Sequence, residues 1–323
     1  EEEIKHGITI LAIGGHPYQP KEYFYGKDGR VCTAMELEEN LIHHPEEYKN
    51  CKNVVMIQCV GSRNDEHPYC SRICCGKSIK NALKLKELNP ETEIYILYRD
   101  MRTYGLMEDY FKEARDKGIV FVRFDPENQP LVTKVKEGKK DLLRVEMMDP
   151  LIGERFAIDA DLLQLATGIL PPEDNKLLSQ FYKVPINQDG FFLEAHMKLR
   201  PVDFATDGVF LCGLCHNPKS IEESISQANA AASRASTILS KEKLEAEAAI
   251  AHIVTDLCVG CRGCLDVCPY TAISYHEEKG KCEINEVLCK GCGGCSVACS
   301  SGSIKLEGFR SDQIYAQIER AFD

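Results

Sequence analysis

The chain has 323 residues, 44% of them hydrophobic and 28% charged, with a net charge of −11. That balance excludes nucleic acid as a partner, because phosphate neutralisation needs a basic face. No apolar run approaches the ~18 residues of a spanning helix and no signal peptide is visible, so a soluble, cytoplasmic protein of two or three domains without a membrane span is expected.

In chain order, ITILAIGG (residues 8–15) reads as a buried strand ending in two glycines. It starts abruptly, which leads to the expectation of a fragment or of one half of a split protein. VVMIQCV is a second strand. GKSIKNALKLKELN repeats Ile79, Leu83, Leu85 and Leu88 at helical spacing and stops at Asn89-Pro90. EIYILYRD is a third strand, EDYFKEARDKG a helix and IVFVRF a fourth strand. This alternation predicts an α/β fold with a parallel, doubly wound sheet. Residues 131 to 165 read instead as antiparallel strands, with turns at Glu137-Gly138-Lys139-Lys140 and near Pro150 to Gly153. LLQLATG then returns to a buried strand, DGVFLCGLC gives another, and KSIEESISQANAAASRASTILS a long helix. KEKLEAEAAIAHI is charged and reads as a linker.

Seventeen cysteines are too many for a reducing compartment unless most have a task, and they are clustered: none lies between Cys75 and Cys212, nine between Cys258 and Cys299. Tight thiolate spacing without histidine partners favours iron–sulfur or zinc. CVGCRGCLDVCPYTAISY is echoed by CKGCGGCSVACSSGSIKL at an offset of 31 residues. Each copy reads as a cysteine loop, a short helix and a strand. In the C-x2-C-x2-C-x3-C spacing, three cysteines wrap one centre and the fourth reaches across to the other. Cys258, Cys261, Cys264 and Cys299 are therefore expected on one 4Fe–4S cluster, and Cys289, Cys292, Cys295 and Cys268 on a second. The competing reading is a pair of zinc knuckles, which favour paired CxxC without the triple spacing. The repeat resembles two-cluster bacterial ferredoxins, from which it departs at Ser300, where proline is usual.

A second group, Cys59, Cys70, Cys74 and Cys75, follows the second strand, where a nucleotide-binding fold would place its glycine-rich loop. Its C-x10-C-x3-C-C spacing is not that of a ferredoxin. Adjacent cysteines at a helix start could ligate one cluster, with the helix dipole favouring the anion. The alternative is a redox-active or structural thiol group.

Taken together, VVMIQCVGSR, YCSRICC, LATG, GFFLEAHMKLRPVDFATDGVFLCG and PKSIEESISQANAAA resemble the A subunit of heterodisulfide reductase and its bacterial relatives, including the similar subunit of class II benzoyl-coenzyme A reductase complexes. The resemblance spans essentially the whole chain, matching the C-terminal part of the family's members. It implies an incomplete, thioredoxin-reductase-like two-dinucleotide-binding flavoprotein followed by a small α+β two-cluster ferredoxin domain. It also implies FAD, and a third 4Fe–4S cluster on the four-cysteine loop. Domain bounds of 1–245, 246–310 and a tail at 311–323 are expected, with a Rossmann-like subdomain at about 20–160. Lys80 is placed near the flavin ring by the resemblance; a solvated helix lysine is the alternative. Gly14 and Gly168 resemble the crossover turns of such flavoproteins. Gly213 with the helix start at Lys219, Ser220 and Ile221 resembles the second FAD motif, except that Leu214 stands where relatives carry aspartate.

No G-x-G-x-x-G occurs, so the main pyrophosphate loop is expected upstream or in another chain, and NAD(P)H is not expected to bind in the usual way. Cys32, Cys51, Cys212, Cys215 and Cys282 fit no ligand pattern, although Cys212 and Cys215 form a CxxC beside the flavin turn. His216 is the one histidine beside a cofactor turn. No catalytic side chain is assigned. The expected function is electron transfer between FAD and clusters, with flavin-based bifurcation implied by the resemblance. Expected partners are other heterodisulfide-reductase-like subunits, an electron-input component of a hydrogenase or formate dehydrogenase, and ferredoxin. The alternatives are non-bifurcating electron transfer from a hydrogenase or formate dehydrogenase to a reductase, and a pyridine-nucleotide disulfide reductase.

Overall fold

A computed structural model describes residues 5–138, 140–149, 153–242, 249–286 and 288–322. The turns expected over Lys139 and over residues 150–152, and residues 243–248 of the linker, lie outside these. The chain divides into two compact units, Glu1–Leu239 and Ser240–Asp323.

The first unit is built on a five-stranded parallel sheet in the order Val31–Thr33, Leu162–Thr167, Asn53–Val60, Glu93–Tyr98, Val120–Arg123. Successive residues of the Asn53–Val60 strand are buried on opposite faces, as a sheet covered on both sides requires. Val54 and Met56 pack with Ile79, Leu83 and Leu85 of the helix Cys74–Leu88. Val55 and Ile57 pack with Leu143, Val145 and Ile158 of a three-stranded antiparallel sheet (Leu131–Glu137, Lys140–Met148, Arg155–Ala160). The sheet places the carboxyl ends of its strands, and hence Cys59, at one edge.

The expected alternation is present, with additions. Val31–Thr33 and the helix Ala34–His43 are not among the expected elements. Thr33 caps that helix and Glu36 returns the contact in a capping box. The polar loop after Leu170 contains a further helix, Asn175–Tyr182. The strand Thr9–Leu11 pairs in parallel with Val209–Leu211, and the helix Ile221–Leu239 packs behind them through Ala231 and Ala235.

In the second unit the repeat is visible as structure. Short helices Gly263–Asp266 and Gly294–Ala298 follow the two cysteine loops. Ile273–His276 pairs with Lys281–Ile284, and Ala251–Ile253 with Ile304–Leu306, both antiparallel. Gly260 and Gly291, 31 residues apart, both adopt positive φ with backbone packed over their α-carbons. A Cβ on Gly291 would stand 1.8 Å from the Ala249 carbonyl, and one on Gly260 2.3 Å from that of Gly280. The small core is largely cysteine and short aliphatics. A helix, Ser311–Ala321, ends the unit. Among the described residues no helix is long and apolar enough to cross a membrane.

Candidate functional site

The eight cysteines of the repeat surround two separate cavities, in crossed sets. Cys268, Cys289, Cys292 and Cys295 line one. Cys258, Cys261, Cys264 and Cys299 line the other. Backbone N–H groups already point at their sulfurs. Ala251 N donates to Cys289 Sγ at 3.3 Å, and Ala272 N to Cys268 Sγ at 3.3 Å. Donors of this kind favour thiolate ligands. The donor set therefore fits two iron–sulfur clusters.

One cysteine outside the expected set joins them. Cys282 lines the second of these cavities, and its thiol is in hydrogen-bond contact with Cys264. Sequence reasoning set it aside because it belongs to no C-x2-C run. The repeat offset was the signal available: residue 251, its counterpart, also touches a cluster cavity.

In the first unit the strand Asn53–Val60 carries Cys59 at its end, and Cys74 and Cys75 begin the helix Cys74–Leu88. The four thiols are within electrostatic reach of one another. Cys74 and Cys75 are buried side by side. The hydrogen bond from Cys74, whose own thiol is held well up by that bond and by burial, lowers Cys75 below the ordinary thiol value. Burial, with the charge of Cys75, pushes Cys59 up to about 11. Positive charge is close: Arg63 and Arg99 favour the Cys59 thiolate, Arg102 and Arg63 that of Cys75. Arg72 N donates to Cys70 Sγ at 3.3 Å. Cys59, Arg63 and Arg72 all hold positive φ, an uncommon cost for residues with side chains and a mark of a pinned loop. These groups fit an anionic cluster. Gly61 stands at the place of a nucleotide-loop glycine, and its missing Cβ makes room for the Tyr18 ring, 2.1 Å from where a Cβ would be.

The expected flavin residues divide. Gly14 and Gly213 have positive φ and nothing within 4 Å of a notional Cβ, so both present open backbone at the ends of the paired strands Thr9–Leu11 and Val209–Leu211. Gly168 does not: Ser62 and the Gly61 carbonyl enclose it, so its lack of a side chain serves packing. Ser220 is occupied as a helix cap, exchanging hydrogen bonds with Glu223, and Ile221 is exposed. Lys80 is exposed and paired with Glu38, which also holds Lys77 at 2.9 Å.

Lys219 is different. It is 7% exposed, and its amine bonds the carbonyls of Gly213 at 2.7 Å and Asn217 at 3.1 Å. Burial lowers its pKa to about 8. It also meets His216 Nδ1 at 3.3 Å, where Gln227 Nε2 donates at 2.8 Å. With Nδ1 accepting, Nε2 carries the proton and donates to Glu194 at 2.7 Å. Burial and Lys219 hold His216 below its ordinary value. Glu194 and Gln227 were not found from the sequence, because neither lies in a recognisable spacing. Cys212 and Cys215 are buried and raised by burial, and Cys215 Sγ donates to the Leu11 and Cys212 carbonyls at 3.2 Å, so neither is poised as an attacking dithiol.

Residues 257–306 match the family model for a 4Fe–4S dicluster domain. Over 100% of its length the chain is 39% identical to the A subunit of the H(2):CoB-CoM heterodisulfide,ferredoxin reductase of Methanothermobacter thermautotrophicus. The chain belongs to the family of heterodisulfide reductase A subunits. It covers 50% of that relative, and so spans about half the length of the curated relatives it matches. The A subunit of the Ferredoxin:CoB-CoM heterodisulfide reductase of Methanosarcina acetivorans, another family member, is 36% identical over 98% of the chain and 44% of its own length. Among solved structures, the chain is similar to T. acidophilum thioredoxin reductase with a TM-score of 0.45 at 17% identity, over 72% of this chain and 64% of that one.

Proposed function

We propose that this chain is the cluster-bearing part of an electron-transferring iron–sulfur flavoprotein in a heterodisulfide-reductase-like complex. The observation that carries the proposal is the crossed grouping of eight cysteines around two cavities, with a third, arginine-flanked group of four at the edge of the parallel sheet. Cys258, Cys261, Cys264 and Cys299 would hold one 4Fe–4S cluster, Cys289, Cys292, Cys295 and Cys268 a second, and Cys59, Cys70, Cys74 and Cys75 a third. Gly14, Gly213 and Lys219 would face FAD, whose pyrophosphate loop comes from outside these residues.

When bound, FAD supplies the exchange between two-electron and one-electron chemistry, and the clusters pass single electrons. The chain's own residues set the conditions. Lys219 offers a buried cation next to an open glycine turn, and its pKa of about 8 lets it keep or release a proton near neutrality. Glu194 and His216 hold that cation in place through the imidazole. Arg63, Arg99 and Arg102 offset the charge of the four-cysteine site. The names of two relatives set heterodisulfide and ferredoxin together as acceptors, with H(2) or formate as the source, while another names ferredoxin as the donor. The first two support a division of electrons between a low-potential acceptor such as ferredoxin and a high-potential disulfide, with a hydrogenase or formate dehydrogenase component as the input.

Iron, acid-labile sulfide and flavin analysis of the anaerobically purified protein tests the reading. Three clusters give about twelve irons per chain. Four or fewer sinks it, and bleaching by NADPH alone favours the disulfide-reductase alternative.

A further inference from the structure

The two cavities of the repeat are built alike but lined differently. Each position around the first cysteine set has a counterpart 31 residues away around the other. Cys282 lines the Cys258–Cys261–Cys264–Cys299 cavity and its thiol touches Cys264 and Cys258; its counterpart is Ala251. Ser303 Oγ stands 3.1 Å from Cys299 Sγ; its counterpart is Ala272. Backbone donors do not distinguish the two sites, since the N–H groups of residues 282 and 303 point at Cys258 and Cys299 as those of 251 and 272 point at Cys289 and Cys268. Only the side chains do. Ser301 Oγ adds a third contact to Cys299 at 3.5 Å.

We infer that the two clusters are unequal by construction: Cys282 and Ser303 donate side-chain hydrogen bonds to sulfurs of the first, where the matching positions of the second are the methyl groups of Ala251 and Ala272, while each cavity has one cation in its lining, Arg262 and Lys290. Reduction adds negative charge that spreads onto the sulfurs. A donor stabilises the reduced form more than the oxidised one and raises the potential. An electron entering this unit therefore comes to rest on the Cys258–Cys261–Cys264–Cys299 cluster, and the Cys289–Cys292–Cys295–Cys268 cluster is the lower-potential member. Cys282 and Ser303 are positioning residues here, acting through the ligands. The inference rests on the proposal that these cavities hold clusters.

The test is a potentiometric titration of the full chain, monitored by electron paramagnetic resonance, alongside an iron count. In Cys282→Ala and Ser303→Ala the electron partition between the two clusters is expected to shift about tenfold toward the second, or about 59 mV for one electron. The reciprocal Ala272→Ser, which adds a hydroxyl beside Cys268, raises the second cluster's midpoint and shifts the partition the same way. The other cluster's midpoint stays put in each case. Iron retained with all midpoints unmoved, or both moving together, overturns the inference while leaving the cluster reading intact. A unit that holds no iron in the parent chain overturns both.

Discussion

Arg72, between the second and third cysteines of the four-cysteine loop, grips the carboxylate of Glu223 in the first turn of the helix Ile221–Leu239. The same guanidinium donates to the Pro218 carbonyl at 3.3 Å and to the Tyr104 hydroxyl at 2.6 Å. One side chain thus fixes the candidate cluster loop to the turn that carries Lys219. Electron transfer between the proposed cluster and the proposed flavin would demand a fixed separation, which this contact would supply.

Removing the clamp is expected to loosen both sides. Arg72→Ala loses three side-chain hydrogen bonds, one of them to a charged partner that is partly exposed, for a cost of about 1–3 kcal/mol. Chemical denaturation measures it. Arg72→Lys, a point charge without the planar fork, should recover only part. Full recovery by lysine would mean that charge alone holds the loop.

The buried lysine predicts a pH dependence of stability. Lys219 titrates at about 8 folded against about 10.4 unfolded. Between these values the unfolded chain binds more protons, so the contribution of Lys219 rises with pH from about 8 to about 10.4, and its penalty is complete below 8. Lys219→Met should flatten the slope of unfolding free energy against pH in that window relative to the parent. An unchanged slope contradicts the assignment.

His216 offers a sharper electrostatic test, because its two charged neighbours act in opposite directions. Glu194 raises its pKa and Lys219 lowers it, with burial lowering it further. By imidazole NMR titration, Glu194→Gln should move His216 down and Lys219→Met should move it up. Shifts of the same sign would break the Glu194–His216–Lys219 chain of contacts. Because the folded value lies below the unfolded one, stability contributed at this site is present above about 6.5 and declines as pH falls below it.

The glycines of the second unit separate packing from permissiveness. Gly291→Ala places a Cβ against the Ala249 carbonyl at positive φ, and should cost at least ~2 kcal/mol together with iron content. Gly263→Ala, with nothing within 4 Å and no positive φ, should be tolerated. Equal tolerance of both in thermal unfolding would contradict the described loop geometry.

Much of this was legible in the residues. Strong periodicity exposed the parallel sheet from VVMIQCV onward, and the C-x2-C-x2-C-x3-C repeat predicted the crossed sets of four cysteines that line the two cavities. The strand Val31–Thr33 was too short to show a period, although Thr33 and Glu36 spell a capping box before an amphipathic helix. That Leu162–Thr167 inserts between Val31–Thr33 and Asn53–Val60 is a tertiary choice that no local pattern prints. Lys219 was found as part of a helix start, but Glu194 and Gln227 converge on His216 only through folding, from 22 and 11 residues away. Gly168 looked like a ligand turn because a glycine that admits a cofactor and one that admits Ser62 are the same letter.

Cys59, Cys70, Cys74 and Cys75 are proposed to hold a cluster of their own. Serine replacement of Cys74, followed by iron analysis and low-temperature electron paramagnetic resonance of the reduced protein, tests this. Loss of about four irons and of one signal is expected, with the signals of the ferredoxin pair intact. Retention of all the iron and every signal would contradict it.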